Sequence, residues 1–150
     1  MALVLSVATV LLAACAATAP TPTPSPTPAP SPGATPTGPV PPLWTPQPGQ
    51  PNRHPVAADT LDAWADGDHI VARLTWSSGV EPCYVFDSVL IAEDGTTITL
   101  TIVEGGDPGA ICVKLLVQKV TQVDLGEFDP GTYTIRAVPG TAPPVAVTVG

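Results

Sequence analysis

The 150-residue chain holds 13 acidic side chains against five basic ones, for a formal net charge of −8. That balance repels phosphate backbones and excludes nucleic acid as a partner, and it offers no basic cluster to anionic lipid headgroups. Every charged residue lies at or beyond Arg53, so composition divides the chain into an uncharged N-terminal third and an acidic remainder.

The first element, Ala2 to Ala14, is uncharged and mainly apolar, and too short for the roughly 20 residues that cross a bilayer. Its length suits the apolar region of a signal peptide closing on small residues, although no Lys or Arg stands ahead of it. It ends in Leu12-Ala13-Ala14-Cys15. This tetrad resembles the lipobox of bacterial lipoproteins, an aliphatic residue and two small ones before the cysteine that is lipidated. The resemblance implies a signal peptide over 1–14, lipid on Cys15 as the mature N-terminus, and a protein anchored in the cell membrane facing outside the cytoplasm.

From 15 to 52 the chain repeats Thr-Pro, Ser-Pro and Ala-Pro and holds most of its 21 prolines. Proline fixes φ and lacks the N–H that helices and ladders need, so this segment reads as a disordered, polyproline-like linker. At about 3.1 Å per residue such a stalk reaches on the order of 100 Å. Its Ser/Thr-with-Pro composition also suits O-glycosylation. Trp44 stands out, either docking on the domain or lying in the linker as an isolated apolar residue.

Residues 53–150 are long enough for one small domain. With Cys15 assigned to lipid, Cys83 and Cys112 remain as a pair, most simply a disulfide outside the cytoplasm. The closed loop is worth roughly 3.5 kcal/mol in the chain-entropy model. Two cysteines with two distant histidines, His54 and His69, make a poor metal site.

The patterns that follow are those of strands. His69 to Trp76 sets Ile70, Ala72, Leu74 and Trp76 against Val71, Arg73 and Thr75, a period of two. Cys83–Ala92 and Thr97–Val103 flank Asp94-Gly95, a short hairpin signal. A turn on those two residues opposes Ile91 to Ile98, Val89 to Leu100 and Asp87 to Ile102. Asp87 then falls on the apolar face, at an edge, paired with Arg73, or on a bulge. Apolar residues at odd positions from Ile111 to Leu125 suggest two strands with a kink, Lys119 interrupting the face. Val145, Val147 and Val149 form a closing strand.

Asp129-Pro130-Gly131-Thr132-Tyr133 resembles the tyrosine corner of immunoglobulin-like sandwiches. The resemblance makes Asp129, Gly131 and Tyr133 fold-determining, with the Tyr133 hydroxyl pairing a buried upstream backbone group. Ile135 stands where an antibody domain carries cysteine. The chain is therefore expected to be all-β, an immunoglobulin-like antiparallel β-sandwich of about seven strands behind a disordered Pro-rich linker. It is similar to small exported bacterial domains of no assigned activity.

Little in the sequence points to chemistry. No Gly-x-Ser-x-Gly turn supports Ser77 or Ser78 with His69 as a nucleophile pair. Asp59, Asp62, Asp66 and Asp68 carry enough carboxylates for Ca²⁺ but lack EF-hand spacing, and Asp/Gly pairs form turns unaided. Glu104-Gly105-Gly106-Asp107 reads as an exposed loop. Trp64 and Trp76 fit buried positions better than a sugar platform. No cofactor, metal or catalytic residue is assigned. The expected function is a non-enzymatic binding or structural module on a stiff lipid-anchored stalk, its partner an envelope protein or carbohydrate. The alternative is a small envelope hydrolase or an inhibitor of one.

Overall fold

The computed structural model describes residues 42–150. The leader over 1–14, Cys15 and most of the linker lie outside the described residues. Every regular element described is a strand: β1 (His54–Val56), β2 (Thr60–Asp66), β3 (His69–Ser78), β4 (Val85–Asp94), β5 (Thr97–Gly105), β6 (Val117–Glu127), β7 (Gly131–Ala137) and β8 (Val145–Val149). Two sheets face each other in an open sandwich. One is ordered β2-β3-β6; in the other, β5 pairs β4 on one edge and β1 and β7 on the opposite edge, with β8 outside β7. All pairings are antiparallel except β5 with β7, which run parallel.

Inward alternation along the strands builds the core. Ile70, Ala72, Leu74 and Trp76 of β3 meet Ile98, Leu100 and Ile102 of β5, with Ile135, Val147 and Val149 behind them. The Trp76 and Phe86 rings pack at 5.0 Å between centroids. Each such side chain contributes about 1.5–3 kcal/mol on burial.

The hairpin register differs from the expected one. The pairs are Asp94↔Thr97, Ile91↔Leu100 and Val89↔Ile102, so Gly95 and Thr96 make the turn. Gly95 takes φ +58°, the left-handed conformation glycine adopts without strain. The slip is two residues overall, so each side chain keeps its face.

Only one strand, β6, forms where two were expected, because residues 106–116 leave the sheet altogether. The departure begins at Gly106, whose N–H donates to the Pro51 carbonyl. A Cβ there would sit 2.2 Å from the Cys83 carbonyl oxygen, so only glycine fits so close to that backbone.

The corner at the start of β7 forms as the sequence suggested, with the Tyr133 hydroxyl donating to the Asp129 carbonyl at 3.0 Å and the Phe128 ring edge-on to Tyr133 at 5.0 Å. The bond is exposed rather than buried. Tyr133→Phe is therefore expected to cost about 0.5–1.5 kcal/mol, an ordinary hydrogen bond and not a buried unsatisfied carbonyl. Urea midpoints of the two proteins check it.

Candidate functional site

The folded unit begins well before the composition boundary at Arg53. Leu43 pairs with Val120 of β6, and the Trp44 N–H donates to the Val120 carbonyl. Three residues on, the Gln47 N–H donates to the Phe86 carbonyl of β4. Residues 43–50 are thus a strap from an edge of one sheet to an edge of the other.

Asp87 holds the strap's far end. A register shift between Phe86 and Ser88 marks a bulge, which turns Asp87 inward until it is 1% exposed. Its carboxylate accepts the Gly49 N–H at 2.8 Å and the Gln50 N–H at 2.9 Å, and pairs with Arg53 at 3.0 Å rather than with Arg73. Burial pushes this carboxyl up, but the Gln50 N–H, the Ser88 hydroxyl, the Gly49 N–H and the Arg53 guanidinium together hold it below the ordinary carboxylate range. A depressed folded value means that Asp87 stabilises the fold in full above the unfolded carboxylate pKa and loses that contribution as pH falls through the folded one. Wild type should therefore lose melting temperature on acidification more steeply than Asp87→Asn, which has no such charge to neutralise.

Across the strap lies a buried ionic cluster. Lys119 breaks the apolar alternation of β6 because it points into the sandwich, where its ammonium donates to Glu104 Oε1 and to the Tyr84 carbonyl, both at 2.7 Å. The Trp44 ring lies 4.8 Å from the same nitrogen, in reach of a cation–π contact. Glu104 is fully buried in β5, not in an exposed loop. Its Oε1 also accepts from Trp76 Nε1 at 2.9 Å, and its Oε2 from the Ser78 hydroxyl. Among the described residues no buried side-chain polar atom lacks a partner.

This cluster floors an open groove of about 600 Å³ lined by Val56, Ser78, Tyr84, Glu104, Val113 and Leu116, among others. The outer wall is the loop between β5 and β6. Asp107 organises its first turn, accepting the Gly109 N–H at 2.8 Å. The disulfide between Cys83 and Cys112 then ties the loop to the approach to β4. Beyond the turn the loop turns its apolar residues outward: Ile111 is 95% exposed, Val113 60%, Leu115 55% and Leu116 72%. A run of large aliphatic side chains left in solvent is a mark of an interaction surface. Their alternating pattern resembled a strand in the sequence, and nothing local distinguishes it from one.

No family model, curated protein or solved structure matches the chain.

The other sequence candidates do not converge. His69 and Ser78 stand at opposite ends of β3. The His69 ring pairs instead with Asp124 at 3.0 Å and Glu127 at 3.8 Å. The Asp124 hydrogen bond raises its pKa, desolvation opposes this, and the charges of Asp124, Asp68 and Glu127 add to the rise. Asp59 accepts from Ser77 at 2.7 Å, Asp62 lies opposite Arg73, and Asp66 and Asp68 flank Gly67. Among the described residues no three such ligands gather. Trp76 is core, whereas Trp64 is partly exposed with the Arg73 guanidinium 5.6 Å from its ring.

Proposed function

We propose that the protein is a non-enzymatic binding module, tethered through lipid on Cys15 outside the cytoplasm and presented on the Pro-rich stalk. The observation that carries this reading is the Cys112-clamped loop with its solvent-facing Ile111, Val113, Leu115 and Leu116. A buried ionic cluster behind the loop supports it as a fixed surface, since Glu104, bonded to both Lys119 and Trp76, ties β5 of one sheet to β6 and β3 of the other. The hydrolase alternative draws little support, because the serines lie far from His69.

The tether and the surface are tested separately. Two acyl chains give stable anchoring where one does not, so wild type should partition into detergent and Cys15→Ser into the aqueous phase; a soluble wild type would contradict the tether. Pull-down from envelope extract should recover a stoichiometric partner with wild type and lose it with Ile111→Ser/Leu116→Ser. Equal recovery by both proteins would contradict the surface.

A further inference from the structure

Among the described residues β4 pairs with β5 alone, so its other side is a sheet edge. The strap covers the first part of that edge, with the Gln47 N–H on the Phe86 carbonyl and the Gly49 and Gln50 N–H groups on Asp87. The chain then crosses to β1 on the far side of β5, leaving Ser88 to Asp94 uncovered. The direction of the backbone groups there follows from β5. The Leu100 carbonyl accepts the Val138 N–H on the side away from β4. Ile91 stands opposite Leu100, so its own N–H and C=O point away from β5, and those of Val89 and Glu93 do the same by alternation.

The side chains of this edge are apolar on both faces. Val89 packs against the core, which puts Ile91 on the inner face and Leu90 on the outer one. Leu90 is nevertheless 51% exposed and Ile91 40%. On the outer face Leu90 lines a hollow of about 360 Å³ with Arg53, Pro55 and Val103. Natural edge strands are commonly blunted by Lys, Pro or an inward-pointing charge, and Ser88-Val89-Leu90-Ile91-Ala92 has none of these. Its charges are set at the two ends instead. Glu93 and Asp94 close the strand, whereas Arg53 stands at its start, 48% exposed, donating to the Ser88 hydroxyl.

We propose that the occupant of this edge is a second copy of the same chain, the two β4 strands pairing antiparallel about Ile91. A two-fold axis through that pair joins the sheets of both copies into one. The full overlap of Ser88 to Asp94 fixes the register. Ile91 meets Ile91 of the other copy, Val89 meets Glu93, Leu90 meets Ala92, and Ser88 meets Asp94. The residues opposed at Ile91 and at Val89 are those whose N–H and C=O groups point outward, so each pair exchanges both main-chain bonds. On the outer face the small Ala92 leaves room for Leu90. At each end the Asp94 carboxylate of one copy comes beside Ser88 and the Arg53 guanidinium of the other, and neither acid stands opposite an acid. A parallel arrangement would instead bring Glu93 and Asp94 of both copies together, which like charge disfavours. The contact uses no residue of the Cys112 loop and is independent of what that loop binds.

The test takes the full chain in detergent matched in density to the solvent, where sedimentation equilibrium reads protein mass alone. Wild type should have twice the mass of one chain. Ile91→Lys sets two ammoniums face to face on the axis and should have the mass of one, with an unchanged melting temperature because Ile91 is already exposed. A second arm reads the register and does not depend on the lysine variant. Ile91→Cys should oxidise to a disulfide-linked dimer, since residue 91 meets its own copy. Asp94→Cys should not, since residue 94 and its copy lie at opposite ends of the paired strands. A single-chain mass for wild type, an Ile91→Lys protein that keeps the double mass, or equal linkage at Asp94 and Ile91 would overturn the proposal. Ile91→Cys joined to a different protein, and not to itself, would overturn it too by giving the edge to a foreign strand.

Discussion

Glu104→Ala is expected to destabilise the domain by about 3–5 kcal/mol, because it strands the Lys119 ammonium in the sandwich without its counter-charge. Trp76 Nε1 and the Ser78 hydroxyl lose their acceptor in the same step. Against a total stability of about 5–15 kcal/mol for a domain, the loss approaches global unfolding. Lys119→Met strands the carboxylate instead and should also be costly, although two donors still reach it. The double variant Glu104→Ala/Lys119→Met leaves no unpaired charge and should cost less than the two single changes combined. Urea unfolding of the four proteins measures this coupling. Additive losses would mean that Glu104 and Lys119 act independently.

Removing the disulfide should have the next largest effect. Cys83→Ala/Cys112→Ala frees a loop spanning 29 residues, which corresponds to about 3.5 kcal/mol in the chain-entropy model. The structure adds a local consequence. With Cys112 released, only the Asp107 turn and the start of β6 hold the segment between them. The aliphatic run should then lose its fixed presentation even at temperatures where the sandwich remains folded. Hydrogen exchange resolved by residue should show faster exchange at Ile111–Leu116 in the variant, with β3 and β5 protected in both proteins. An unchanged loop would mean that packing, not the disulfide, positions it.

The sequence announced the sandwich because its strands are amphipathic with a period of two. Ile70 to Trp76 and Val145 to Val149 lie as their alternation requires. The Cys83–Cys112 bridge and the Tyr133–Asp129 corner were readable for a similar reason: each depends on residues whose chemistry has few other uses. The site was hidden because it depends on long-range pairing. Glu104 looks like a loop residue until Lys119, from a strand of the other sheet, is placed against it. Two opposite single charges on otherwise apolar faces were the available signal. Asp87 appeared as an irregularity, and a bulge was among its readings, but its partners Gly49 and Gln50 sit in a segment that composition assigns to the linker. Proline content describes the free chain; it does not register that Trp44 and Gln47 find sheet edges to pair with. The loop was missed for the opposite reason. Ile111, Val113 and Leu115 alternate as a buried strand would, and the backbone turn at Gly106 that takes them out of the sheet requires contacts with Pro51 and Cys83.

Site-specific photo-crosslinking in the cells that make the protein tests the binding surface most directly. A photoreactive side chain is placed at Val113 on the exposed loop in one protein, and at Trp64 on the outer face of the other sheet in a second. The Val113 probe should give one adduct of defined mass that disappears when Ile111 and Leu116 are changed to Ser, and the Trp64 probe should give none. Adducts from Trp64 but not Val113, or none from either position, would contradict the assignment of the Cys112 loop as the surface by which this protein binds.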